Sequence, residues 1–302
     1  MADQLIRATA AQGRVQAMGV ISTRLVEEAR GRHGLSSVAT AALGRTMTAG
    51  LLLSCNLKAE SARVNIRVLG DGPLGGIFVD AGADGTVRGY VKNPTLELPP
   101  TPQGKLDVGG AVGDTGFLHV VKDLGYGKPY SGTVELVSGE IGEDITHYLA
   151  SSEQTASAVL LGVFVSAQGV EASGGILLQL MPDPEHEQLA QWLDDRLQGV
   201  QGITTYLRSG KDLTQILQEI LGEKDLEVFP ETQLVRFACG CSVERVLGAI
   251  KMLGTAELQD MIEKDHGAEA TCHFCNEQYR LSVAQLTTLI AAIEQEARLS
   301  AP

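Results

Sequence analysis

Two close pairs of cysteines near the C-terminus constrain this chain more than any other feature. They read Cys239-Gly240-Cys241 and, thirty residues later, Cys272-His273-Phe274-Cys275. Two thiol pairs held apart by a folded segment can meet one tetrahedral zinc ion, each sulfur about 2.3 Å from the metal. Four thiolates close the coordination shell and leave no position for a substrate water, which argues against metal catalysis. A pair with a single residue between its sulfurs is unusual in a purely structural zinc module. A disulfide closed there would form a small, strained ring, and strain makes a disulfide a stronger oxidant. Three readings follow from spacing: a redox-labile zinc site, a permanent zinc staple, and a thioredoxin-like thiol–disulfide oxidoreductase. The last needs its C-x-x-C to open a helix inside a βαβ unit, and no such pattern surrounds Cys272.

The chain has 302 residues, enough for two domains or one domain with an appendage. Apolar residues make up 44% but aromatics only 4%, so aliphatic side chains must fill the core. No run of about 18 uncharged apolar residues predicts a membrane helix, and the start, Met1 to Arg7, does not read as a secretory signal. A cytoplasmic location is expected, where thiols stay reduced. The net charge of -13 works against binding to phosphate backbones or anionic membranes. No partner in nucleic acid or membrane is therefore expected.

The pattern along the chain predicts an α+β protein in three segments: a core over 1–182 with antiparallel-rich sheets, a helical, conditionally folded linker over 183–236, and a small zinc-binding domain over 237–302. In the first, Val64–Val68, Thr86–Val91, Leu161–Val165 and Ile176–Leu180 read as strands. Ala83-Asp84-Gly85 reads as a hairpin turn. Helices are expected over Leu35–Leu53, Ile141–Leu149 and 152–160. Met181-Pro182-Asp183-Pro184 breaks the pattern. One helix is then expected through Leu189, Leu193, Leu197, Val200, Ile203 and Leu207, with Gly199 and Gly202 weakening its interior, followed by a second through Leu213, Ile216, Leu217, Ile220 and Leu221. In the last segment Ser242 is expected to cap a helix ended by Gly254, Thr255 to open another stopped near Gly267, two strands to flank the second cysteine pair, and Ser282 with Gln285 to cap a final helix. That segment has little apolar mass, so a metal staple is physically sensible.

Other motifs carry less. Gly70-Asp71-Gly72-Pro73-Leu74-Gly75 matches G-x-G-x-x-G, but Pro73 and the strand-like Ile77-Phe78-Val79 point to a strand–turn–strand connection rather than a nucleotide loop. No G-x-x-x-x-G-K-[ST] occurs, so no sign of ATP use is present. His147 and Glu153 read as polar side chains on a helix's solvent face rather than an acid–base pair, His273 as an exposed side chain of the cysteine knuckle, and Cys55 as a small buried apolar residue. No catalytic constellation is found, and an enzyme is not expected.

Phe237-Ala238-Cys239-Gly240-Cys241-Ser242-Val243-Glu244-Arg245-Val246 and Cys272-His273-Phe274-Cys275-Asn276-Glu277-Gln278-Tyr279 resemble the cysteine module of the redox-regulated bacterial heat-shock holdases, the thirty-three-kilodalton chaperonin family. Ala41–Arg45, Gly70–Gly76, Arg88-Gly89-Tyr90 with Asn93-Pro94, and His147-Tyr148 with Ser152-Glu153-Gln154 are similar to blocks of the same family. The chain departs from it in Thr155-Ala156-Ser157, where Pro is common, and in Gln16, where Arg is frequent. The resemblance implies an ATP-independent chaperone that is inactive while reduced, with one zinc ion on Cys239, Cys241, Cys272 and Cys275. Oxidation would join Cys239 to Cys241 and Cys272 to Cys275, release zinc and loosen the middle segment. The exposed apolar surface would then hold unfolding client proteins, often as a homodimer.

Overall fold

The structure, a computed structural model, describes residues 2–183 and 186–299. The chain divides into two compact units, 1–238 and 239–302. The segments expected over 1–182 and 183–236 thus share one unit.

The first unit opens with the hairpin β1 (Gln4–Ala10) and β2 (Val15–Ile21), then α1 (Thr23–His33) and α2 (Ser37–Ser54). A second run of strands follows: β3 (Arg63–Gly70), β4 (Ile77–Gly82) and β5 (Thr86–Val91). After the short α3 (Val108–Val112) come β6 (Gly116–Asp123), β7 (Tyr130–Glu135) and α4 (Gly142–Ser151). The long hairpin β8 (Ser157–Ser166) and β9 (Gly169–Leu180) leads to α5 (His186–Gln198), α6 (Ile203–Arg208) and α7 (Leu213–Leu221). The unit closes with β10 (Glu227–Val228), β11 (Gln233–Leu234) and β12 (Arg236–Phe237).

These strands make two sheets. One has the order β10-β1-β2-β9-β8, with β11 also on β1; the other has the order β12-β5-β4-β3-β6-β7. Pairing is antiparallel except between β12 and β5. Between the sheets lies α2, which touches β3, β4 and β5 on one side and β2, β8 and β9 on the other. A helix buried on all sides must be apolar on all sides. Val38-Ala39-Thr40-Ala41-Ala42-Leu43-Gly44 and Met47 to Ser54 are accordingly all buried, and the Ser36 hydroxyl caps the helix by accepting from Ala39 N–H at 3.2 Å. Its buried hydroxyls are satisfied: Thr48 Oγ1 lies 2.8 Å from Ser22 Oγ, which also meets Ser173 Oγ at 2.8 Å.

The other face of the first sheet is covered by the middle segment. Period-two alternation sends Ile6, Ala8, Val15, Ala17, Ile176, Leu178 and Leu180 outward from α2. They bury against Leu189 and Leu193 of α5, Ile203, Tyr206 and Leu207 of α6, and Leu213, Ile216, Leu217, Ile220 and Leu221 of α7. Glycines on the strands allow close approach. Gly162 and Gly174 are register partners. A Cβ on Gly162 would meet Ile203 Cγ2 at 2.7 Å, and one on Gly174 would meet Leu207 Cδ1 at 3.0 Å.

Two expectations need correction. Residues 152–160 do not form a helix: α4 ends at its C-cap Ser152, Gln154 turns the chain with φ 54°, and Ser157 already opens β8. The Val159-Leu160-Leu161 run pairs along β9, and sheet burial outweighs local helix preference there. The single helix expected through Leu207 is two, α5 and α6. Gly202 is the extended N-cap of α6 (ψ 140°), so the glycines punctuate the helices rather than weaken an interior. The Gly70–Gly75 loop joins β3 to β4 as a turn, and Gly85 turns β4 into β5. No helix among the described residues is long and apolar enough to cross a membrane.

The second unit contains α8 (Val243–Lys251), α9 (Thr255–Asp260) continued by a π-helical turn over Met261–Asp265, the hairpin β13 (Gly267–Thr271) and β14 (Gln278–Ser282), and α10 (Val283–Leu299). Ser242 caps α8 as expected, but α8 ends at Lys251 with Met252 as its C-cap, and Gly254 instead stands at the N-cap of α9. The Ser282–Gln285 capping box forms in both directions, at 2.9 and 3.4 Å. The core of this unit is small: Ile250, Leu258, Leu281 and Leu286, with a partly buried fringe.

Candidate metal centre

Each cysteine pair sits at a point where local structure fixes it. Cys239 and Cys241 lie just before α8, whose N-cap Ser242 accepts from Arg245 N–H at 3.4 Å. Cys272 and Cys275 form the tight connection between β13 and β14. There Cys272 N–H donates to Glu277 O at 2.9 Å, Asn276 N–H donates to Cys272 O at 2.8 Å, and Asn276 takes a left-handed φ of 59°. Asparagine tolerates that conformation better than most residues.

The four sulfurs lie within 4.8 Å of one another, the one such group of three or more metal-ligating side chains among the described residues. Cys239 Sγ is 3.8 Å from Cys272 Sγ, and Cys241 Sγ is 3.3 Å from Cys275 Sγ. A tetrahedral zinc site places its sulfurs about 3.8 Å apart. Cys275 is buried and the other three are half-buried. Burial pushes the Cys275 thiol well up, and the neighbouring sulfurs of Cys241, Cys272 and Cys239 push it further. Burial raises Cys272 too, against opposing backbone N–H groups and with Cys239 adding to the rise. Cys272 and Cys275 therefore resist ionisation unless a cation compensates them, and soft sulfur donors favour zinc among common metals. The residues fit the ion.

The remaining sequence candidates fall elsewhere. His273 is exposed and outside the sulfur group. Cys55 is the half-buried C-cap of α2, its thiol pushed up to about 12 by burial, in the other unit. His147 Nδ1 lies 3.3 Å from Ser151 Oγ while Glu153 pairs with Lys122, so they form no acid–base couple. One neighbour of the centre was not singled out from sequence: the Tyr279 hydroxyl donates to Cys241 Sγ at 3.0 Å. Its only trace in one dimension is its place on the strand leaving Cys275.

Comparison with known proteins agrees with this architecture. The family model described as Hsp33 protein matches residues 3–282. A 33 kDa chaperonin of Gloeobacter violaceus is 67% identical over 99% of both chains, and one of Nostoc punctiforme is 62% identical over 99% of this chain and all of its own. The crystal structure of the 33 kDa chaperonin (heat shock protein 33 homolog) of Thermotoga maritima superposes with a TM-score of 0.90 at 35% identity, covering 98% of this chain and all of that one. Matched along nearly its whole length in sequence and in fold, the chain belongs to the Hsp33 family of heat-shock chaperonins.

Proposed function

We infer that this protein is a redox-switched, ATP-independent holdase of the cytoplasm, with Cys239, Cys241, Cys272 and Cys275 as both zinc ligands and oxidant sensors. The observation that carries the reading is the gathering of four sulfurs into one small site. Zinc, when bound, supplies the charge that keeps the sulfurs as thiolates and staples a unit whose own core is slight. On oxidation, Cys239 joins Cys241 and Cys272 joins Cys275. For each disulfide two sulfurs give up two electrons, and one hydrogen peroxide takes them with two protons and leaves as two waters. The Cys239–Cys272 and Cys241–Cys275 approaches cross the pairs, as one shared centre allows; the pairing within each motif rests on the family resemblance. Sulfurs in disulfides are no longer thiolate donors, so the staple is lost and the second unit unfolds.

The apolar face under α5, α6 and α7 supports the other half of the reading. It joins Ile6, Val15, Ile176 and Leu178 to the leucines and isoleucines of the helices, and the segment that covers it precedes the cysteine unit along the chain. The three segments 1–182, 183–236 and 237–302 act, in this reading, as platform, cover and sensor. Uncovering the platform exposes a face that unfolding client proteins can bury, and the oxidised form works as a homodimer.

Aggregation of a thermally unfolding client, followed by light scattering without nucleotide, tests the reading. Reduced, zinc-loaded protein should leave aggregation unchanged and oxidised, zinc-free protein should suppress it. Equal effect in both states would remove the switch, and turnover of a dithiol substrate would favour an oxidoreductase.

A further inference from the structure

β14 carries Tyr279 and Leu281 toward the same side, two residues apart. Leu281 is buried in the small core of the second unit. Tyr279 pairs with Ala270 across the hairpin, and its hydroxyl reaches Cys241 Sγ at 3.0 Å. Cys241 belongs to the other cysteine pair, so one side chain spans the two halves of the centre. Packing alone does not place the hydroxyl there, because the ring is only half-buried and its oxygen can be hydrated.

An O–H donated to sulfur is strongest when the sulfur is an anion and weak when it is half of a disulfide. It draws charge from the lone pair that attacks an oxidant. It also relieves repulsion among crowded thiolates, as hydrogen bonds to metal-bound sulfur do in general. The contact therefore acts on the reduced state.

We propose that Tyr279 is a positioning residue of the thiolate centre and sets its oxidant threshold. Resting on the redox-switch reading above, the proposal adds a control outside the four cysteines. In the step controlled, the Cys241 Sγ lone pair attacks one peroxide oxygen, the O–O bond breaks, and hydroxide leaves as a sulfenic acid forms. A second thiol then displaces that oxygen as water, and the disulfide closes. The phenol holds the attacking lone pair and raises the amount of peroxide needed.

The test uses the full chain with Tyr279→Phe, which keeps the ring, and Tyr279→Leu, which removes it. Zinc release on stepwise addition of hydrogen peroxide is followed with a chromogenic chelator. The Phe variant should release zinc about tenfold faster than the wild type, within the usual range for losing a partner of a metal ligand. Packing alone predicts a Phe variant as slow as wild type, with only the Leu variant fast, and that result overturns the proposal. Cobalt(II) in place of zinc gives a second readout: the sulfur-to-metal charge-transfer band should move to lower energy in the Phe variant, and an unmoved band overturns the contact. Zinc in the wild type that ignores peroxide would overturn the switch and the threshold together. A responsive wild type with an equally slow Phe variant would overturn the threshold alone.

Discussion

At the scale of single residues, sulfur and charge decide most. Cys275 is the buried member of the sulfur group, so Cys275→Ser removes a ligand where water can least replace it. Zinc affinity should fall by more than the roughly 10–100-fold typical of changes one shell further out. Competition with a chelator measures this, and the β13–β14 amides should lose exchange protection without any oxidant. Asp80 offers an electrostatic counterpart in the first unit. Its side chain is 6% exposed and accepts from Arg63 Nε and Arg88 Nε, each at 2.9 Å. Burial alone would raise its carboxyl, but the two guanidiniums outweigh it and hold the group below the usual carboxylate range. A depressed folded-state pKa means stability that is present above the unfolded value, about 4, and lost as pH falls through the folded one. Asp80→Asn should cost about 3 kcal/mol at neutral pH. It should also flatten the acid limb of a denaturant-derived stability profile; an unchanged limb would assign that acid sensitivity elsewhere.

At the scale of elements, the seat of the middle segment is cut by small residues. Gly162→Ala places a methyl 2.7 Å from Ile203 Cγ2 and 2.8 Å from Thr204 Cγ2, so α6 must shift. Overpacking of this kind costs about 1–3 kcal/mol. Amides of α6 should exchange faster while those of α2 keep their protection. A second hold on α6 is Arg208, whose guanidinium lies 3.7 Å from the centre of the Phe164 ring and 3.3 Å from Glu171. Arg208→Ala should loosen the same helix by about 1 kcal/mol, a cation–π contact with a partly exposed ion pair. These elements were legible in sequence to different degrees. α7 announced itself because Leu213, Ile216, Leu217, Ile220 and Leu221 keep helical period and all five are buried. The cysteine knuckle did too, because metal-ligand spacing is written along the chain. β8 was legible only in its second half: Leu161–Val165 read as a strand, while Ser157–Leu160, an Ala- and Leu-containing run, suits helix or strand until its partner β9 decides. Tyr279 escaped because its role depends on which way a strand side chain points, and its sulfur partner Cys241 lies 38 positions away. The seat glycines escaped for the same reason: only the folded sheet sets Gly162 opposite Gly174 beneath α6.

At the scale of the whole molecule, the proposed switch predicts different fates for a large, well-packed unit and a small, thinly packed one when the sulfurs oxidise. The first has α2 buried between two sheets and a second core under the middle segment; the second has, among the described residues, a core of four buried aliphatic side chains and a metal-like centre. In the proposed holdase, a net charge of -13 would help the chain stay in solution with apolar partners bound. The central claim is that thiol oxidation and uncovering of the sheet are one event. Zinc release and hydrogen exchange of α5, α6 and α7, followed together in one peroxide time course, test this most directly. The two traces should rise in step, with β13–β14 losing protection alongside and α2 remaining protected. Complete zinc release with α5 to α7 still protected would contradict it.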